Sequence, residues 1–306
     1  MGLYFLRRFL GLFLVLWCTI TLTFFLVRLA PGTPFSRERK IPPAIEKQLL
    51  ARYKLDGTLW EQYRGYLGGL CKGDLGPSVK YRDRSVNELV ADALPVSAML
   101  GLSAFLLATS LGIWLGSLAA LRQHQWMDTF AMLGALVLIS VPSFVIGPML
   151  ALVFGLWLRW LPVGGWGSWS CLILPALTLA GPYVAYVARL MRSSLLEVLH
   201  QDFIRTARAK GLSDAAVLTR HALKVALLPV VSFLGPLAAN LLTGSIVVES
   251  IFGIPGMGGY FVNSILNRDV FLLSGVVIVY CTLLVVLNLC VDLLYGWLDR
   301  RIQIYE

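Results

Sequence analysis

Histidine and acid are scarce in this chain. Three histidines occur among 306 residues, and 17 Asp and Glu face 26 Lys and Arg. His124, His200 and His221 are too scattered for a ligand cluster and no HExxH occurs, so no metal site is expected. The five cysteines (18, 71, 171, 281, 290) form no CxxC and have no histidine nearby; three fall in apolar runs, where a thiol serves as a small apolar residue. Cys71 and Cys171 would share one compartment and could pair. No GxxxxGK[ST] loop is present, which excludes ATP binding by that route; no GxSxG and no paired carboxylates in one outer site occur. No catalytic residue is assigned, and the chain reads as a non-enzyme that binds no cofactor of its own. Charge itself is sparse, 14% of residues against 58% hydrophobic, with a mean hydropathy of +0.75. That balance excludes a soluble domain and points to an integral membrane protein.

What is present is a series of apolar runs. The first covers 9–27, too long for a signal peptide and close to the ~20 residues that cross a bilayer. Arg28 follows it and can snorkel to the interface. Five more spans are expected over roughly 96–121, 130–158, 172–190, 227–249 and 272–296. Pro142, Pro148, Pro175, Pro182 and Pro236 fall in or near them, and such breaks are tolerated where neighbours or water satisfy the freed backbone groups. Gly112 and Gly116 have the spacing that lets two helices approach closely.

The basic residues fix an orientation. With the N-terminus in the cytoplasm, short inner segments hold Arg7, Arg8, Arg122, Arg189, Arg192, Arg205, Arg208, Lys210, Arg220, Lys224, Arg300 and Arg301. Short outer loops hold only Arg159 and Arg268. By the positive-inside rule both termini are cytoplasmic, and the net charge of +9 reflects topology rather than nucleic-acid binding.

Three segments result: a first helix over 1–30, an extracytoplasmic region over 31–94, and a five-helix core over 95–306 with a cytoplasmic loop at 191–228. In the polar region, Pro42-Pro43 predicts a helix over 44–53. A second, aromatic-rich helix is expected over 59–70. Ser85-Val86-Asn87-Glu88 is a capping-box pattern for a third short helix into Leu94-Pro95.

The cytoplasmic segment 201–229 is the longest basic stretch outside the spans. Asp202 can cap a helix over 203–210, with Gly211 at its left-handed end and Ser213 capping a second helix. Thr206, Ala207 and Ala209 make a small-residue face suited to a partner's groove; a solvated basic loop is the other reading.

Arg205-Thr206-Ala207-Arg208-Ala209-Lys210-Gly211-Leu212, then Arg220-His221-Ala222-Leu223 and Leu228-Pro229, resembles the coupling loop of ABC importer permeases, in the peptide and nickel branch. Arg205-Thr206-Ala207 stands where the general motif has Glu-Ala-Ala. Arg28-Leu29-Ala30-Pro31-Gly32-Thr33-Pro34-Phe35 and Gly76-Pro77-Ser78-Val79-Lys80-Tyr81 are similar to the B-type subunit of oligopeptide permeases. The resemblance implies an all-α type I importer fold with six spans in the bacterial inner membrane. It also implies a paralogous C-type permease, two ATPase subunits holding ATP and Mg, and an extracytoplasmic peptide-binding protein. Residues 205–212 and His221 would then transmit force. Dipeptide, glutathione or nickel import is the alternative cargo, and a secondary transporter the alternative class. The latter would show inverted repeats or charged relays, which the spans lack.

Two further features bear on a pathway. Asn240, Thr243, Ser245 and Glu249 lie on the fifth span, where polar groups are costly unless paired or wetted, so they are candidates for cavity lining. Glu249 to Tyr260 is a Gly/Pro-rich connection, with Pro255 and Gly256 at its centre, resuming as a helix over 261–266. It reads as an outer gate or as a tight interfacial turn.

Overall fold

The structure, a computed structural model, describes residues 2–29, 43–53, 55–81, 83–242 and 244–298. The 31–35 motif, Thr243, Arg300 and Arg301 therefore lie outside the described residues. In chain order the helices are α1 (Gly2–Leu29), α2 (Pro43–Arg52), α3 (Leu59–Leu70), α4 (Val86–Leu121), α5 (Trp126–Ser140), α6 (Ser143–Leu150), α7 (Trp169–Leu199), α8 (Asp202–Ala209), α9 (Asp214–Val217), α10 (Leu223–Leu242), α11 (Ile246–Phe252), α12 (Met257–Leu266) and α13 (Val270–Leu298). Wide π turns follow α6 (Ala151–Trp157) and α9 (Leu218–Ala222). Among the described residues the extended structure is one isolated bridge, Pro77 with Ser85.

Among the described residues five helical stretches are long and apolar enough to cross a membrane, and a bent pair, Trp126–Ser140 with Ser143–Trp157, makes six if it counts as one. The pair turns by 108° within the span expected over 130–158. Pro142 is the reason: it drives Val141 into an extended conformation (φ −91°, ψ 122°), so the helix must stop there and restart. The fifth span also ends earlier than expected. It ends at Leu242, because Gly244 adopts φ +87° and Ser245 opens α11 as a separate helix.

Other expectations shift for equally local reasons. The helix begun at Ser85 does not stop at Pro95 but continues to Leu121. Ala91, whose carbonyl loses its donor at Pro95, lies with Pro95 on an exposed face, where the loss is mild. Helix α3 covers 59–70 as expected, and its cap is a full capping box of Thr58 and Glu61. Helix α12 begins at Met257 rather than 261, its first amide donating to Ser97 Oγ at 2.8 Å. All five cysteines are free thiols, Cys71 and Cys171 included.

The chain divides into two compact units. One comprises 1–97 and 255–285. Its core joins Val86, Leu89 and Ala93 of α4 to Met257 of α12 and Leu272 and Val276 of α13, and a second cluster packs Phe24 of α1 on Tyr63 and Tyr66 of α3. The motif 76–81 acquires a physical meaning here. Asp269, 1% exposed, accepts from Ser78 Oγ (2.5 Å), Val79 N (2.9 Å) and Lys80 N (3.1 Å) through Oδ2, and from Leu272 N (3.1 Å) through Oδ1. One carboxylate thus fills a nest of loop amides and caps α13.

The other unit comprises 98–254 and 286–306. Helix α7 is its centre, packed by α5, α6 and α10. Helix α4 presents it a stripe of Ala104, Ala108, Gly112, Gly116 and Ala119, all buried. The glycines are required: a Cβ on Gly112 would lie 2.6 Å from Val187 Cβ, and one on Gly116 2.3 Å from the Ala188 carbonyl oxygen. The neighbour that spacing left unnamed is α7.

Candidate functional site

The basic segment is built as two helical pieces hinged at a glycine. Helix α7 ends at His200, whose Nδ1 meets the Leu196 carbonyl oxygen at 2.7 Å, and the chain turns into α8. Gln201, not Asp202, is the N-cap; Asp202 sits in the first turn, where its charge complements the helix dipole, and pairs with Arg205 at 3.6 Å. Gly211 has φ +82°, the left-handed conformation its position demanded. Ser213 caps α9, accepting from Ala216 N at 3.4 Å. Across the hinge, Arg208 Nε lies 3.3 Å from Asp214 Oδ1.

Burial sorts the faces of α8. Ile204 and Ala207, three apart, are buried and anchor the helix. Ala207 therefore does not share an outer face with Thr206 and Ala209. The outer surface is instead Thr206, Ala209, Lys210 and Gly211, bordered by Arg205 and Arg208, with Phe203 exposed beside them. Phe203 had no place in the motif, yet an exposed aromatic among small and basic residues is what an interface anchor looks like. Leu212 and His221 are half-buried, His221 within the π turn.

A partly buried ion pair joins α5 to α7. Arg192, near the end of α7, donates from Nε to Asp128 Oδ1 (2.6 Å) and from a terminal nitrogen to Oδ2 (2.7 Å). Asp128, in the first turn of α5 and 4% exposed, also accepts from His124 N at 3.1 Å. Sequence gave no sign of this pair; its members are 64 residues apart. Asp128→Ala removes both acceptors of a partly solvated guanidinium and is expected to cost about 1–3 kcal/mol. Pairing it with Arg192→Leu should recover much of the loss, as thermal unfolding in detergent would show.

The candidate lining residues have structural partners. Asn240 donates to Tyr183 Oη at 2.7 Å, joining α10 to α7. Ser245 caps α11, accepting from Val248 N at 3.3 Å. Glu249 is 2% exposed within α11, which Gly253 ends at φ +63°. Phe252 O then accepts from Gly165 N at 2.7 Å, an approach that Gly164 permits, since a Cβ there would lie 2.5 Å from that oxygen. Pro255, exposed, and Gly256, buried, belong to the other unit, where Gly256 is the N-cap of α12.

Comparison with known proteins places these features in a wider set. A family model described as a binding-protein-dependent transport system inner membrane component matches residues 112–304, which include α8 and α11. The oligopeptide transport system permease protein OppB of Haemophilus influenzae is 48% identical over 299 residues, covering 97% of this chain and 98% of that protein. The Escherichia coli K12 protein of the same name is 47% identical over 300 residues, with the same coverage. The dipeptide transport system permease protein DppB of Bacillus subtilis is 43% identical over 306 residues, covering 100% and 99%. Among solved structures, an inward-facing MetNI methionine ABC transporter aligns with a TM-score of 0.59 at 14% identity, over 69% of this chain and 97% of that one. The last likeness concerns the fold.

Proposed function

Because this chain belongs to the family of binding-protein-dependent transport system inner membrane components, we propose that it forms one half of the membrane pore of an ATP-driven importer whose cargo is oligopeptides. The single observation that carries the cargo is the 48% identity, over nearly both full lengths, to an oligopeptide permease. Dipeptides are the second reading, favoured by the 43% identity to a dipeptide permease.

In this reading a paralogous C-type permease completes the pore, two ATPase subunits bind ATP and Mg, and an extracytoplasmic protein delivers peptide. The chain sits in the bacterial inner membrane with both termini in the cytoplasm, as its Lys and Arg distribution requires. Helix α8 seats its Phe203–Thr206–Lys210 face in a groove of an ATPase subunit. When the ATPases close on ATP, α8 is pulled inward; Arg208–Asp214 passes the motion to α9, and Asp128–Arg192 holds α5 and α7 together as they turn. The pore opens outward, receives peptide, and reverts after hydrolysis. Asn240, Thr243, Ser245, Glu249, Pro255 and Gly256 remain the proposed path and gate, with Asn240 and Ser245 acting through the helices they brace. A wide, weakly selective cavity suits cargo that shares a backbone and not side chains.

The test is co-purification of the tagged chain in mild detergent, then ATP hydrolysis with peptide-loaded binding protein. Recovery of a second permease and two ATPases, with hydrolysis raised by loaded binding protein, is expected; a chain that purifies alone would overturn the reading. Force transmission is tested at Thr206, because Ala207 is buried and a charge there would also damage packing. Thr206→Glu should leave membrane insertion intact and lower peptide uptake at least about tenfold, equivalent to about 1.4 kcal/mol at the interface.

A further inference from the structure

The unit formed by 1–97 and 255–285 contains a cavity of about 550 Å³, within the size range of small-ligand sites. It lies beside the outer end of α1 in the proposed topology. Arg28 lines it. The guanidinium carbon stands 3.7 Å from the centre of the Phe24 ring, and Nε donates to Gln62 Oε1 at 2.9 Å. Gln62 is itself fixed, its amide nitrogen donating to the carbonyls of Leu55 (3.0 Å) and Gly57 (2.9 Å). Among the described residues no acceptor meets the terminal nitrogens of Arg28.

Acidic groups line the same cavity: Asp56, Glu61 and Asp74. Two of them are held by backbone amides through a single oxygen. Glu61 Oε2 takes Thr58 N (2.8 Å) and Asp74 Oδ1 takes Gly76 N (2.9 Å). The Thr58 amide keeps the Glu61 carboxyl below its ordinary range, so it stays charged. A second cation, Arg52, and two aromatic rings, Tyr66 and Phe271, complete the lining. The Tyr66 hydroxyl is buried, with the Ser274 hydroxyl beside it.

Helix α3 keeps the cavity open. It turns Glu61, Gln62, Gly65, Tyr66 and Gly69 towards it, one helical face. Gly69 has a packing reason to be glycine, since a Cβ would meet the Asp74 carbonyl oxygen at 3.2 Å. Gly65 has none: nothing lies within 4 Å of an added Cβ, and its backbone is helical. A mid-helix glycine destabilises relative to alanine, and this one leaves space at the cavity wall.

We propose that this cavity binds a short zwitterionic peptide, its carboxylate on Arg28, its ammonium on the Glu61 and Asp74 side, and an apolar side chain against Tyr66 and Phe271. The identification of the ligand as peptide rests on the importer reading above; the charge pattern alone would equally take a phosphoethanolamine headgroup. A holding site here would keep peptide at the pore's outer side independently of the binding protein.

The experiment uses the complete importer, without binding protein, in phosphatidylglycerol nanodiscs, titrated with tritiated tri-alanine. Saturable binding is expected, at least about tenfold weaker in Gly65→Met and unchanged in Gly68→Met, another open glycine of α3 that lies outside the cavity lining. Tri-alanine with acetylated and amidated ends should fail to compete. Equal binding by wild type and Gly65→Met, or none by either, overturns the proposal. So does loss of peptide binding in discs containing phosphatidylethanolamine, which would give the cavity to the lipid. Adding peptide-loaded binding protein to the same discs separates the two readings: stimulated hydrolysis without direct peptide binding removes this proposal alone.

Discussion

Asp269→Ala is expected to be among the most damaging single substitutions in the chain, costing about 3–5 kcal/mol. The carboxylate satisfies three backbone amides and a serine hydroxyl, three of those four bonds joining segments 189 to 191 residues apart. Removing it leaves several buried donors unmade at once, each worth about 1–3 kcal/mol in desolvation. The loop 77–81 then loses its tether to the start of α13. Asp269→Asn should fall between, because an amide can turn its oxygen to only one of the two groups of donors that the carboxylate serves. Thermal unfolding in detergent would rank the three proteins. An alanine variant as stable as wild type would mean that water replaces the carboxylate in the nest.

The second large effect is expected at Gly116. A Cβ there would lie 2.3 Å from the Ala188 carbonyl oxygen and 2.8 Å from Met191 Cβ. The first of these contacts is backbone on a packed helix, so no side-chain rotation relieves it. Gly116→Val should destabilise by at least about 3 kcal/mol, the upper end of ordinary overpacking. Gly116→Ala should already produce most of that loss, because the collision is with the first carbon. Gly134→Val, at a position with nothing within 4 Å, is the matched control and should be tolerated. Because α7 runs on to Arg192 and the turn before α8, the variant should also lower uptake in whatever importer still assembles. Stability equal to the control would show that α4 and α7 separate without penalty.

Much of this was visible in the chain, and the division between seen and unseen is physical. Local chemistry was legible: the bounds of α3, the left-handed Gly211 and the Ser213 cap each depend on residues a few positions apart. Motif likeness reached further, to the family and the fold. Pairings across long separations left no local trace. Asp128 reads as an ordinary first-turn acid until Arg192 arrives, and Ser78-Val79-Lys80 reads as a plain loop until Asp269 does. The same limit affected the candidate pathway. Asn240 and Ser245 are polar residues in an apolar run, which invites a lining role; only coordinates reveal that one braces Tyr183 and the other caps α11. Gly112 and Gly116 announced a close approach by their spacing, while the identity of α7 as the partner required three dimensions. Gly65 gave no signal, since a glycine that keeps space open is indistinguishable in sequence from one that relieves strain.

The wide turn at Leu218–Ala222 divides one long rod into two phases. Leu223 N reaches back five residues to the Leu218 carbonyl, so one extra residue is inserted and the turns on either side are offset by about 100° from a continuous α-helix. The cytoplasmic turns can thus answer to α8 through Arg208 and Asp214, while the membrane turns answer to α7 through Asn240 and Tyr183. A rod of uniform winding would have to satisfy one set of neighbours at the expense of the other. The inserted residue also means that counting by threes and fours from Ala215 through Leu218 to Ala222 does not follow a single stripe.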